Sequence, residues 1–121
     1  MSLSPLYIIG INHHTAPIAI REKCAFRIEE YPEALTECKR RLPVTECFIL
    51  STCNRTEIVA ISPTEPDLMS WWAHHHDLHP QTHQAQCYQY QGQAALEHLL
   101  AVACGLNSML IGEPEILGQL K

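Results

Sequence analysis

Glu46-Cys47-Phe48-Ile49-Leu50-Ser51-Thr52-Cys53-Asn54-Arg55-Thr56-Glu57-Ile58-Val59-Ala60-Ile61 holds two apolar runs rich in β-branched residues, joined by a short polar link. Runs of this length and composition read as buried strands, here Glu46–Ser51 and residues 56–61. The link Thr52-Cys53-Asn54-Arg55 is short enough that the two strands should be antiparallel neighbours. Ser62-Pro63 ends the second of them.

Working outward, Tyr7-Ile8-Ile9-Gly10-Ile11 is another buried strand, and Asn12-His13-His14-Thr15-Ala16-Pro17 ends it, since Pro17 holds its predecessor extended. Residues 29–42 read as a helix: Glu29 and Glu30 favour its start, Lys39, Arg40 and Arg41 suit its C-terminal dipole, and Pro43 stops it. Residues 66–76 read as a second helix anchored by Leu68, Met69, Trp71 and Trp72, and residues 87–91 alternate as a fourth strand. The order β-α-β-β-α-β predicts an α+β fold, a ferredoxin-like βαββαβ sandwich, over residues 1–91. From Gly92 the pattern changes. Ala94, Ala95, Leu96, Leu99, Leu100, Val102 and Ala103 predict a helix ended by Gly105, and residues 116–121 open another. Residues 92–121 are therefore expected to be the start of a truncated helical subdomain.

The chain has 121 residues, 46 % hydrophobic and 17 % charged, with a formal net charge of -5. This composition excludes disorder, and no run approaches the length of a membrane span. The acidic balance argues against a purely electrostatic nucleic-acid binder. Yet six of the eight Lys and Arg residues fall before residue 42, so a modest basic face on an acidic body is possible. Six cysteines without a CxxC pair or a basic leader read as reduced, mostly buried thiols of a cytoplasmic protein.

Cys53, in a tight link held by strands on both sides, has the placement of a nucleophile. Arg55, two residues on, is expected to favour the thiolate, while Thr52 and Asn54 offer hydrogen bonds to a carbonyl or amino group. The plain alternative is a hairpin turn in which the thiol is incidental. His98 lies among Leu96, Leu99 and Leu100, as a packed histidine would, but it becomes an acid–base candidate if its helix lies beside the Cys53 link. His74, His75, His76, His79 and His83 contain i,i+4 pairs that could chelate a metal, but Pro80 interrupts them and no HExxH occurs. They read as a solvated helix end, with no metal assigned. Ser108, Glu113 and Gln119 could converge on a polar ligand, or Glu113 and Glu115 could simply cap a helix.

Gly10-Ile11-Asn12-His13-His14-Thr15-Ala16-Pro17, Ser51-Thr52-Cys53-Asn54-Arg55-Thr56-Glu57 and Gly105-Leu106-Asn107-Ser108-Met109-Leu110-Ile111-Gly112-Glu113-Pro114-Glu115-Ile116-Leu117-Gly118-Gln119 together resemble the N-terminal catalytic domain of glutamyl-tRNA reductase. The resemblance implies an NADPH-dependent oxidoreductase that converts glutamyl-tRNA to glutamate-1-semialdehyde. This is the first step of the C5 route to 5-aminolevulinate and porphyrins. It makes Cys53 the nucleophile that forms a thioester and His98 the active-site histidine. It assigns the glutamyl moiety to Thr52, Asn54, Arg55, Ser108, Glu113, Pro114, Glu115 and Gln119. It further implies an NADPH-binding domain and dimerisation helices beyond residue 121, a homodimeric whole enzyme, and handover of product to glutamate-1-semialdehyde aminomutase. On that reading, residues 1–121 cannot complete the reduction. The competing expectation is a ferredoxin-like module that binds RNA, or haem or metal, without catalysis.

Overall fold

The computed structural model describes residues 5–109. Strands β1 (Leu6–Asn12), β2 (Glu46–Ser51), β3 (Arg55–Ile61) and β4 (Tyr88–Gln91) form one sheet in the order β2-β3-β1-β4, with every neighbouring pair antiparallel. β2 and β3 form the expected hairpin. β3 is inserted between β1 and β2, although β2 follows β1 in the chain. The connection from β1 to β2 therefore crosses one face of the sheet, carrying α1 (Ile18–Cys24), a 3₁₀ turn Ile28–Glu30 and α2 (Tyr31–Arg41). After β3 come α3 (Leu68–His75) and α4 (Pro80–Gln86), and β4 leads into α5 (Gly92–Met109).

Strand alternation divides the side chains between two faces. Ile9, Ile11, Ile49, Ile58 and Ala60 point into the main core, where they meet Phe26, Ala34, Cys38, Leu68, Trp71 and Trp72. Each large side chain fully withdrawn from water contributes roughly 1.5–3 kcal/mol. Trp72 satisfies its one polar atom by donating from Nε1 to the carbonyl of Cys24 at 3.0 Å. The opposite face carries Ile8 and Val59, over which α5 lays Ala95, with Leu6 and Leu99 at the margin. α5 leaves the β2 side of that face open, so Phe48 and Ile61 are exposed.

Three expectations needed correction. α1 and α4 are helices that the pattern did not predict, because both are only seven residues long, too short to show a helical period. Within α1 only Cys24 is buried. The second predicted helix is shorter than residues 66–76: Asp67 caps it by accepting from the Ser70 amide at 3.1 Å, and Asp77, at φ 54°, turns the chain away after His76. α5 does not stop at Gly105 but runs on to Met109. A glycine inside a helix costs only about 1 kcal/mol, which is too little to end it alone. The helix expected over residues 116–121 lies outside the described residues. Among the described residues, no helix is long and apolar enough to cross a membrane.

His83 is the buried member of the histidine cluster, and this overturns the solvated reading at that position. Its Nδ1 lies 3.5 Å from Cys24 Sγ and its Nε2 3.6 Å from Cys87 Sγ, and its ring meets Trp72 edge-on. Burial lowers its pKa from 6.5 to about 4. The unfolded chain therefore binds a proton that the folded chain refuses. The resulting stability is fully present above pH 6.5 and is lost as pH falls towards 4, for a total of about 3 kcal/mol. Urea midpoints measured from pH 7 to 4 should fall along this course, and His83→Leu should flatten the fall. An unchanged slope in that variant would show that other groups carry it.

Candidate active site

The hairpin link is built by a serine/threonine-type turn. Thr52 Oγ1 accepts from the amides of Asn54 and Arg55, both at 3.2 Å, and the Thr52 amide donates to the Arg55 carbonyl at 2.7 Å. Cys53 is exposed at the tip. Arg21, from the unpredicted α1, donates from Nη1 to the Cys53 carbonyl at 3.0 Å and ties the tip to the body. The Asn12 turn lies at the same end of the sheet, because Asn12 pairs with Arg55. Asn12 Oδ1 accepts from the amides of His14 at 2.9 Å and Thr15 at 3.1 Å.

Two residues into β3, Glu57 is completely buried, and its Oε2 gathers three donors. Arg55 Nη1 lies at 3.1 Å, His98 Nε2 at 2.6 Å, and the Tyr88 hydroxyl makes a short hydrogen bond. Glu57 Oε1 is buried without a partner among the described residues. The pairing of Gly10 with both Glu57 and Tyr88 explains why this position is glycine. A Cβ there would come within 2.7 Å of Glu57 Cγ and 2.9 Å of the Tyr88 hydroxyl. His98 also stacks on Tyr90, with ring centroids 4.5 Å apart, and tilts against Tyr88 at 5.2 Å. Burial first, and the Glu57 charge second, push the Tyr88 hydroxyl far above the usual range, so it stays a donor.

Helix and strand rises explain how His98 reaches this cluster. Three strand steps back from Gln91 to Tyr88 cover about 10 Å, and six helix steps from Gly92 to His98 cover about 9 Å. His98 thus stands over the row containing Tyr88, Gly10 and Glu57. The remaining turns of α5 continue towards the Cys53 end.

The sequence reading placed Cys53 and His98 in one site; the structure joins His98 to the hairpin through Glu57, which also holds Arg55, two residues from Cys53. Among the described residues, His98 hydrogen-bonds Glu57 and not Cys53. Arg55 was expected to serve the thiol, and its Nη1 instead serves Glu57. Thr52 spends its hydroxyl on the turn. Ser108 lies in α5, but its side chain, like Glu113, Pro114, Glu115 and Gln119, falls outside what is described. Glu57, Tyr88 and Arg21 were missed. The available signal for Glu57 was a lone acid inside a buried strand. Three thiols elsewhere in the fold are held in the protonated form. Burial raises Cys24 to about 11 and Cys87 to about 12, and Cys38 is held protonated by its hydrogen bond to Cys47 and by burial.

The remaining histidines do not form the i,i+4 chelates that their spacing allowed. His74 and His79 are exposed. His75 and His76 converge instead on Glu30, with Nε2 atoms 3.8 and 3.5 Å from its Oε1. Burial, then the neighbouring His75, lowers the pKa of His76. Burial alone would raise that of Glu30, but the Arg27 amide and the His76 and Arg27 charges together lower it.

Fold and site together define an α+β domain with an exposed cysteine in the β2–β3 link, four residues before a buried glutamate that holds an imidazole. A sequence model described as "Glutamyl-tRNAGlu reductase, N-terminal domain" matches residues 9–121, and the chain belongs to that family. Glutamyl-tRNA reductase of Hahella chejuensis is 45 % identical over 119 residues, and that of Neisseria gonorrhoeae is 44 % identical over 116. Each match covers 96 % of this chain and 28 % of the relative, so the chain spans little more than a quarter of their length. The solved glutamyl-tRNA reductase of Methanopyrus kandleri matches with a TM-score of 0.66 at 28 % identity, covering 96 % of this chain and 26 % of that one.

Proposed function

We propose that this domain binds the glutamyl end of glutamyl-tRNA and opens its ester with Cys53. The exposed thiol on a braced hairpin, at the same end of the sheet as the Glu57–His98 cluster, carries this reading. The Cys53 thiolate attacks the ester carbonyl, a C–S bond forms and the ester C–O bond breaks. The departing ribose oxygen takes up a proton, leaving a thioester on the protein and free tRNA. A thiolate suits this division because the thioester accepts hydride more readily than the oxygen ester does. Glu57 is a positioning residue, fixing which nitrogen of His98 faces the carboxylate and leaving the other for proton transfer. Thr52, Asn54, Arg55, Ser108, Glu113, Pro114, Glu115 and Gln119 remain the proposed glutamyl-binding set.

The strand order β2-β3-β1-β4 supports a ferredoxin-like sandwich over residues 1–91, with residues 92–121 beginning a helical subdomain. The described residues do not fit NADPH. Their one strand-to-helix glycine turn, at Gly92-Gln93-Ala94-Ala95, lacks the G-x-G-x-x-G that cradles a pyrophosphate. In the whole enzyme NADPH would be held by residues outside this chain, in a cytoplasmic homodimer. That enzyme would feed 5-aminolevulinate and tetrapyrrole synthesis by passing its product to an aminomutase.

Thiol mapping tests the proposal. Cys53 and Cys104 are both exposed, so exposure alone predicts equal alkylation by iodoacetamide. A nucleophile predicts that Cys53 reacts faster than Cys104 and is protected by glutamyl-tRNA. Equal, sluggish rates without protection would favour a binding module that does no chemistry.

A further inference from the structure

We propose that Glu30, His75 and His76 form a binding site for a divalent transition metal of the Zn²⁺ class, with three protein ligands and a fourth position open to water. One ligand atom from each of the three residues lies within 4.8 Å of the others, and both Nε2 atoms approach Glu30 Oε1, at 3.8 and 3.5 Å. The site lies beside the main core and is independent of the Cys53 reading.

The arrangement is specific. Consecutive residues on a helix diverge by about 100°, so two adjacent histidines seldom face one point. Here His75 is the last residue of α3, and His76 has already left the helix at φ -101° and ψ 11°, so both rings turn to the same carboxylate. The His76 side chain is nine-tenths buried, yet neither of its nitrogens has a hydrogen-bond partner among the described residues. Its 3.5 Å approach to Glu30 Oε1, and the 3.8 Å approach of His75, are too long for good hydrogen bonds. Two imidazole nitrogens thus converge on one carboxylate oxygen through long contacts only, a disposition that suits a shared metal ion.

A tetrahedral zinc with bonds near 2.0–2.1 Å sets its ligand atoms about 3.3 Å apart, so closure needs movements of at most about 1.5 Å. The other Glu30 oxygen is already oriented, accepting from the Arg27 amide at 2.6 Å with Arg27 Nε at 3.7 Å. Phe26 walls the site, with ring centroids 4.5 Å from His76 and 5.4 Å from His75, and Trp71 stacks on His75. Two imidazoles and a carboxylate favour Zn²⁺ or Co²⁺ over the all-oxygen sites of Mg²⁺ and Ca²⁺. Among the described residues, His76 Nδ1 has no hydrogen-bond partner to orient it. This predicts a weaker site than one whose imidazoles are all anchored.

The test is titration of the metal-stripped chain with Zn²⁺ by calorimetry and with Co²⁺ by visible absorption. One-to-one binding at micromolar affinity or tighter is expected, with ligand-field bands of a tetrahedral nitrogen–oxygen site. Glu30→Gln and His75→Gln should each weaken binding at least tenfold, and a His74→Asn/His79→Asn pair should leave it unchanged. The proposal is overturned by absence of one-to-one binding, by full affinity in Glu30→Gln, or by a thiolate charge-transfer band. Circular dichroism of the metal-free variants checks their folding. If His75→Gln does not fold, Glu30→Gln alone decides, because Gln can keep the contact with the Arg27 amide.

Discussion

If Cys53 opens the ester as proposed, Cys53→Ser should lower the rate of tRNA release from glutamyl-tRNA by roughly a thousandfold or more, while the unfolding free energy stays within about 0.5 kcal/mol of the parent. Both halves of this result follow from position. The thiol stands exposed at the hairpin tip, so exchanging sulfur for oxygen disturbs no packing. The hydroxyl has the shape of the thiol but little of its nucleophilicity, because a serine without an adjacent general base is scarcely ionised at neutral pH. Among the described residues, His98 is engaged by Glu57 and offers Cys53 no direct hydrogen bond, so the serine would gain no such base. A variant that retained the release rate would remove Cys53 from the chemistry. One that lost several kcal/mol would make it a structural residue. Adding NADPH to the parent chain should yield no glutamate-1-semialdehyde, since the described residues offer no dinucleotide cradle. Its appearance would refute that division of labour.

Glu57→Ala should cost about 3–5 kcal/mol in urea unfolding, the scale of breaking a buried ion pair by deleting one partner. The substitution leaves the Arg55 guanidinium, the Tyr88 hydroxyl and His98 Nε2 facing a cavity instead of an acceptor. Arg55 keeps some access to water, with 21 % of its side chain exposed, so it recovers part of its hydration. Tyr88 and His98 have less recourse. Glu57→Gln keeps the shape and one acceptor oxygen but loses the charge, and should cost less, about 1–3 kcal/mol. A loss below about 1 kcal/mol for the alanine variant would mean that the carboxylate does not hold α5 against the sheet. If Glu57 positions His98, the glutamine variant should also slow tRNA release with little change in binding of glutamyl-tRNA. A purely structural carboxylate would not produce that split.

The strands were legible because their information is local. Residues 46–61 announce two runs and a turn, and the exposure of Cys53 follows from the shortness of the link. α1 and α4 were not legible, because helices of two turns with a single buried residue carry no periodicity. Their stability comes from contacts such as Arg21 with the Cys53 carbonyl and His83 with two thiols. The site was half legible. Cys53 and His98 carry recognisable chemistry, but Glu57 takes its meaning from Tyr88 and His98, 31 and 41 residues away. The histidine cluster misled through its own spacing. The i,i+4 pairs presume one continuous helix, whereas the left-handed turn at Asp77 ends it and sends His83 into the core.

β4 passes into α5 through Gly92 alone, at φ 61°. No slack separates the strand that carries Tyr88 and Tyr90 from the helix that carries His98. A one-residue slip of β4 along β1 would turn both tyrosines to the far face and displace His98 with them. Donor and imidazole therefore move as a single lever. Insertions between residues 91 and 93 should be among the least tolerated in the chain, however far they lie from the thiol.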